Sequence, residues 1–181
     1  MREFLDRLLP KPAEALRAKA AEQLQRGDAA GALETLAQAA KLDPANEWVR
    51  ADAAAILLDL GELDEAQRLL QSVRLDDARV AQLKSRLEFA RAAASGENAG
   101  SLAARIAQNA GDLEARLKLA SLLVAAQDYA AAMEQMLEVV RRDRGFADDA
   151  GRKALLAVFN LLGAGHPLVA EYRRKLAGAL N

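Results

Sequence analysis

Cysteine is missing from all 181 residues, and histidine occurs once, as His166. The lack of cysteine excludes disulfides, thiolate catalysis and thiolate metal ligands within this chain. Neither a second histidine nor a carboxylate pair at ligand spacing accompanies His166, so we predict no metal and no cofactor. The ring of His166 is expected instead to cap the helix that begins at Pro167.

Catalytic motifs are missing as well. The sequence contains no phosphate-binding loop, no dinucleotide-binding fingerprint and no Gly-x-Ser-x-Gly elbow. Asp148 and Asp149 are interpreted as acids in the first turn of a helix, where they interact with the helix dipole. We therefore expect a protein that is not an enzyme.

Neither sign of charge dominates, and long apolar runs do not occur. Twenty-five basic residues balance 26 acidic ones, for a net charge of -1. This balance provides no basic surface for a phosphate backbone, so nucleic acids are not expected partners. No run approaches the roughly 20 apolar residues of a membrane span, and residues 1–10 are too charged for a signal peptide. The expected location is cytoplasmic, without membrane binding.

What the sequence does contain is an alanine-rich pattern that is typical of helices. Apolar residues make up 52% of the chain but aromatic ones only 4%, which suits many closely packed helices better than a bulky sheet core. Alanine has the highest helix propensity, and no long stretch alternates apolar and polar residues with a period of two. The predicted fold class is all-α.

One template of 34 residues recurs along the chain. It has a loop residue, a small residue five positions later, a larger apolar residue at plus nine and another apolar residue at plus twelve. The clear copies are Gly27, Ala32, Leu36 and Ala39; Gly61, Ala66, Leu70 and Val73; and Gln127, Ala132, Met136 and Val139. This register is the signature of tetratricopeptide (TPR) repeats, which predicts a right-handed α-solenoid of about four helix pairs.

A degenerate third copy is expected between residues 78 and 111. Counting 34 residues from Gly61 leads to Ser95, and the template offsets then give Gly100, Ala104 and Ala107. The small residues are kept, whereas the large one is lost and Glu88 stands where the other copies have alanine. We predict a shorter and irregular helix pair here.

The register also predicts boundaries. Residues 1–12 form a short helix and linker, and the helical domain comprises residues 13–181. Its repeats are 13–44, 46–77, 78–111 and 112–144, followed by capping helices at 147–162 and 167–180. Solenoids need such caps because their end repeats have no neighbour.

Trp48, the one tryptophan, lies near the start of a predicted first helix. First helices line the groove of a solenoid, where aromatic side chains often anchor partners. The favoured interpretation is structural, with Trp48 joining the second helix pair to the first; a partner-binding role is the alternative. The groove lacks the paired lysine and asparagine side chains that would hold a peptide carboxylate.

Three segments resemble the thioredoxin-like co-chaperones called chaperedoxins (the YbbN/CnoX family). Residues 2–10, REFLDRLLP, are similar to the end of the thioredoxin domain and its linker in that family. Residues 61–70, GELDEAQRLL, and 171–176, EYRRKL, are similar to its repeats and its C-terminal helix. The resemblance implies that a thioredoxin-like domain precedes this helical domain in the full-length protein.

The resemblance also implies partners and a docking site. Chaperedoxins hold unfolded client proteins and pass them to the chaperonin GroEL and to the Hsp70 system, and their C-terminal helix is associated with chaperonin docking. Carried over to this chain, the docking candidates are Leu168, Tyr172, Arg173, Arg174, Leu176 and Leu180. The alternative is an unrelated TPR scaffold that binds peptides in envelope assembly or secretion.

Overall fold

A computed structural model describes residues 12–94 and 96–180, and all regular structure within them is helical. The ten helices in this part of the chain are α1 (Pro12–Gln25), α2 (Ala29–Leu42), α3 (Glu47–Leu60), α4 (Leu63–Gln71), α5 (Ala78–Ala93), α6 (Ala99–Gln108), α7 (Leu113–Ala125), α8 (Tyr129–Arg142), α9 (Ala150–Leu162) and α10 (Pro167–Leu180). The predicted all-α class is confirmed. Residues 1–11 of the predicted short helix and linker lie outside the described residues, as does Ser95.

Aspartate side chains determine where the second helices of two copies begin. Asp28 Oδ1 accepts a hydrogen bond of 2.8 Å from the Gly31 N–H, and Asp128 Oδ1 accepts one of 3.2 Å from the Ala131 N–H. The first N–H groups of a helix have no carbonyl partner within it, so each carboxylate satisfies an otherwise unpaired donor. The same type of N-terminal cap therefore begins α2 and α8, although Asp28 and Asp128 are one hundred positions apart in the sequence.

The clear copies of the template bury the residues that define them. These residues are Ala32, Leu36, Ala39, Ala66, Leu70, Val73, Ala132, Met136 and Val139, none more than 2% exposed. All of them except Val73, which follows the end of α4, lie on helices that pack on the helix before: α2 on α1, α4 on α3 and α8 on α7. The small residues allow the paired backbones to approach closely, and the larger ones fill the space beside the crossing.

The chain divides between Asp76 and Asp77 into two compact units. In the first unit, α2 packs on both α1 and α3, and α3 packs on α4. Its core combines several alanines with Leu36, Val49 and Ile56. This unit therefore holds two successive helix pairs of the predicted kind.

The second unit has a core of larger side chains. Here α9 packs on both α5 and α8, while α10 packs mainly on α8. The core includes Phe89 from α5, Met133 and Leu137 from α8, and Leu155 and Phe159 from α9. The segment after the last template copy thus completes this unit rather than extending away from it.

The third copy does not form the predicted helix pair. Within the described residues, α5 makes no packing contact with α6, but packs on α7 and α9 instead. Gly100, Ala104 and Ala107 are exposed, and Leu102 is the buried residue of α6. On α5 the template position is Glu88, which is exposed, whereas the corresponding alanines of the clear copies, Ala20, Ala54 and Ala120, are buried.

Helix α9 begins at Ala150, three residues later than predicted. Ala147, Asp148 and Asp149 have φ angles of 46°, 58° and 63°, in the left-handed region that non-glycine residues adopt at a cost. Asp148 pairs with Lys153 at 2.6 Å and Asp149 with Arg152 at 2.9 Å. The prediction that both acids lie in the first helical turn is wrong, since they precede the helix and are neutralised by its basic side chains.

Gly151 lets the start of α9 approach α8 closely. A Cβ atom added to Gly151 would lie 2.9 Å from Val139 Cγ1 and 3.1 Å from the Met136 carbonyl oxygen. The Met136 carbonyl oxygen belongs to the backbone, so it cannot rotate away as a side chain could. The contact between α8 and α9 therefore depends on a residue without a side chain at this position.

Replacing Gly151 with alanine is expected to lower the free energy of unfolding by about 1–3 kcal/mol, because α9 must move away from α8. The matched control is Gly178→Ala in α10, where an added Cβ meets nothing within 4 Å. That change is expected to raise stability by up to about 1 kcal/mol through helix propensity. Urea unfolding followed by circular dichroism measures both, and similar effects of the two changes would contradict the close approach.

Candidate functional site

The last helix, α10, lies with its apolar side against the second unit. Tyr172 and Leu176 are 4% and 7% exposed, and Leu168 and Leu180 are partly buried against the same core. Two of the predicted docking residues are therefore core residues, and two more pack against that core while remaining partly exposed. All four help to hold α10 in place.

Glu134 of α8 connects this helix to α10. Its Oε2 atom lies 3.2 Å from the Tyr172 hydroxyl and 3.4 Å from Lys175 Nζ. Its Oε1 atom accepts a hydrogen bond of 3.0 Å from Arg141. The Tyr172 hydroxyl is also 3.0 Å from the Ala130 carbonyl oxygen, and Lys175 Nζ lies 4.3 Å from the centroid of the Tyr172 ring. One carboxylate thus receives three donors from two helices.

These contacts shift the pKa values of the groups involved. Partial burial acts to raise the pKa of Glu134, but hydrogen bonds from Arg141 and Tyr172 outweigh it and lower that pKa. The hydrogen bond to Glu171 is the main cause that raises the pKa of Lys175 to about 12. Burial, and next the charge of Glu134, raises the pKa of Tyr172. Each shift favours the protonation state that maintains the contact.

The opposite side of α10 carries Arg173 and Arg174, both exposed. The Arg173 guanidinium lies 5.7 Å from the centroid of the Phe159 ring. Among the described residues, neither arginine has a carboxylate partner. Ala170 and Ala177 are exposed beside them, so this surface has two unneutralised positive charges and little bulk around them. We call these four exposed residues the outer face of α10.

Trp48 and His166 occupy structural positions. Trp48 is half-buried at the start of α3, and the Arg17 guanidinium of α1 lies 5.7 Å from its ring centroid. Arg17 Nε also donates a hydrogen bond of 2.7 Å to Asp52, so both contacts join the second helix pair to the first. His166 Nδ1 accepts a hydrogen bond of 3.3 Å from the Leu168 N–H, which confirms the predicted cap of α10.

Two residues that secure α10 were not predicted from the sequence. Glu134 lies 38 positions from Tyr172 and 41 from Lys175. Arg144 donates a hydrogen bond of 2.6 Å to the Leu180 carbonyl oxygen, 36 positions away. Local periodicity reports on neighbours three or four positions apart and carries no information on such pairs. Only one sequence feature indicates these contacts: the last helix is amphipathic, so its apolar side must pack on an earlier helix.

The described residues include neither a candidate membrane span nor a candidate metal site. No helix there is both long and apolar enough to cross a bilayer. Likewise, no group of three or more histidine, aspartate or glutamate side chains in that part of the chain is arranged to hold a metal ion.

Tyr172→Phe is expected to lower the free energy of unfolding by about 0.5–1.5 kcal/mol, because the Ala130 carbonyl oxygen and the Glu134 carboxylate lose the hydroxyl donor that they share. The control is Tyr129→Phe, since the Tyr129 hydroxyl makes no hydrogen bond to a described residue; its effect should be near zero. Urea unfolding of both variants measures the difference. Equal losses would show that the Tyr172 hydroxyl does not stabilise α10.

The stabilisation from Glu134 is expected to depend on pH. Because the folded state lowers the pKa of Glu134 from its usual 4.5, the contribution is complete above pH 4.5 and is lost as the pH falls through the lower folded-state pKa. Glu134→Gln should therefore be less stable than the parent at neutral pH, and this difference should shrink in acid. Urea unfolding at a series of pH values tests this, and a constant difference would contradict it.

The fold agrees with comparisons to known proteins. Tetratricopeptide-repeat family models match residues 23–87 and residues 92–181. No curated protein matches the chain. Among solved structures, it is similar to a domain of VP0806, a Vibrio parahaemolyticus protein of unknown function, with 25% identity, a TM-score of 0.43, and coverage of 91% of this chain and 98% of that one.

Two further solved structures are similar to the chain. MamA has 20% identity and a TM-score of 0.40 over 89% of this chain and 92% of its own. The MamA RS-1 ArsTM double mutant has 18% identity and a TM-score of 0.43 over 93% of this chain and 94% of its own. With its buried template residues and the two family matches, the chain is a tetratricopeptide-repeat domain, a class of scaffold for protein-protein interaction.

Proposed function

We propose that the chain is the helical half of a thioredoxin-like co-chaperone. In this proposal it binds unfolded client proteins, docks on the chaperonin GroEL and cooperates with the Hsp70 system. The support is the resemblance of residues 2–10, 61–70 and 171–176 to chaperedoxins, together with the interaction role of TPR domains.

The observation that carries the docking proposal is the outer face of α10. Arg173 and Arg174 are both exposed and have no carboxylate partner among the described residues, although the Arg173 guanidinium also lies 5.7 Å from the centroid of the Phe159 ring. Two unpaired guanidinium groups favour an acidic partner surface, since complementary charge accelerates association and selects among partners. Ala170 and Ala177 leave room for that surface to approach the helix.

The proposal assigns different roles to the residues of α10. Arg173 and Arg174 make the contact, whereas Leu168, Tyr172 and Leu176 hold the helix against the second unit. A deletion of the whole helix would expose the apolar core beneath it, and exposed core also binds chaperonins non-specifically. Charge reversal on the outer face is therefore the cleaner test.

The double variant Arg173→Glu, Arg174→Glu is expected to bind GroEL at least about tenfold more weakly than the parent, because two attractive charges become repulsive. The control is Lys19→Glu, Arg26→Glu, which makes the same change in net charge at two exposed positions of the first unit. Co-elution with GroEL in size-exclusion chromatography at a series of protein concentrations measures the affinity. Circular dichroism verifies that both variants are folded.

Two results would count against the proposal. If the parent does not co-elute with GroEL at micromolar concentrations, the chain is not a chaperonin-docking domain, and the unrelated TPR scaffold becomes the better assignment. If both double variants lose binding equally, net charge rather than the outer face of α10 controls the association.

A further inference from the structure

Helix α6 lies at the edge of the packing of the second unit. Among the described residues of this unit, every other helix packs on at least two neighbours, whereas α6 packs on α7 alone. Helices α5 and α7, which precede and follow α6 in the chain, pack directly on each other. The described part of the unit therefore closes its core without α6, and no residue of α6 belongs to that core.

Apolar contacts attach α6 only weakly. Leu102 is the one fully buried residue of this helix, and Ile106 is half-buried. Its template residues Gly100, Ala104 and Ala107 are exposed, so they add no contact. Helix α8, by comparison, buries six residues. Because most of the stability of a helix in a protein comes from the apolar face that it buries, α6 needs another attachment.

Ion pairs supply that attachment. Glu97, which lies just before α6, pairs with Arg105 of α6 at 2.6 Å and with Lys118 of α7 at 2.5 Å. Arg105 also lies 3.0 Å from Asp112, the N-cap residue of α7, and Lys118 lies 2.9 Å from Glu114. The pairs of Glu97 with Lys118 and of Arg105 with Asp112 thus join α6 to the start of α7.

Dissolved ions reach these pairs. The side chains of Glu97 and Lys118 are each 32% exposed, and that of Arg105 is 39% exposed. The distance over which charges act in solution falls from about 10 Å at 0.1 M salt to about 3 Å at 1 M. Sodium chloride therefore weakens the ionic attachment of α6, whereas the apolar contacts of the other helices do not depend on charge.

We propose that residues 96–111 form an ionic strap, which opens from the second unit as one segment when salt screens its ion pairs, while the other helices of that unit stay packed. Opening a segment with few apolar contacts requires less free energy than unfolding the whole unit. The inference goes beyond the proposed function and does not depend on chaperonin docking, because α10 packs on α8 and α9 and, within the described residues, not on α6.

Amide hydrogen exchange of the full ¹⁵N-labelled chain, followed by NMR at about 0.05 M and about 1 M NaCl, measures the opening of each helix. At low salt the amides of residues 102–108 are expected to exchange at least about tenfold faster than those of α8, and at high salt about three- to tenfold faster again. Helix α4 is the internal control, because it also packs on a single helix but its Arg68–Glu65 ion pair lies within the helix. Its exchange should change less than about twofold with salt.

Variants of Glu97 and Lys118 test the ion pair itself. Glu97→Gln is expected to accelerate exchange in α6 about three- to tenfold at low salt and to remove most of its salt dependence. The matched control, Glu65→Gln, makes the same change in net charge in α4 and should leave α6 unchanged. Glu97 also lies near the positive end of the α6 dipole, so Lys118→Gln and the double variant isolate the pair. The double variant should exchange more slowly than the product of the two single effects, because both changes remove the same contact.

Several results would overturn the ionic strap. The amides of α6 exchange as slowly as those of α8, salt accelerates α4 as much as α6, or the effects of the two single variants multiply in the double variant. Exchange in α7 and α8 that rises together with that in α6 would show unfolding of the whole unit and would also overturn it. None of these measurements involves GroEL, so a failure here leaves the docking of α10 untouched.

Discussion

The close approach of two helices at a small residue is the constraint on which the rest of this structure depends. Ala32, Ala66 and Ala132 are fully buried at the crossing of a helix pair, where a larger side chain would push the backbones apart. Where this condition is met, the pairs α1 with α2, α3 with α4 and α7 with α8 form. Where it fails, as on α5, no pair forms, and the helix becomes free to pack elsewhere.

The failure on α5 determines the character of the second unit. Helix α5 contributes Phe89 to the core of this unit and packs on α7 and on α9. Helix α9 then covers surface that a regular succession of first helices would leave open to a ligand. The second unit therefore departs from a regular succession of helix pairs.

Sequence reasoning located the helices well and their distant contacts poorly, for identifiable reasons. The caps at Asp28 and Asp128 and the glycine at position 61 are local signals, and helices begin at Ala29 and Tyr129 and end at Leu60 directly beside them. Residues 147–149 have ordinary helical composition, and their left-handed backbone has no local signal. Arg116 is another case: it is 9% exposed, with hydrogen bonds to Gln135 and the Ala110 carbonyl oxygen, although a lone arginine in a helix predicts exposure.

The docking residues show why an amphipathic pattern cannot by itself identify a binding face. Apolar residues at positions 168, 172, 176 and 180 predict one apolar side of a helix, and burial against the chain's own core satisfies that pattern as well as a partner does. In this chain the core satisfies it, with Tyr172 further bonded to Glu134. An apolar stripe that folding has already buried gives no evidence of a partner, so the pattern alone does not distinguish a docking face from a packing face. Outside the pattern, Arg173 and Arg174 are the exposed arginines of α10, and neither has a carboxylate partner among the described residues.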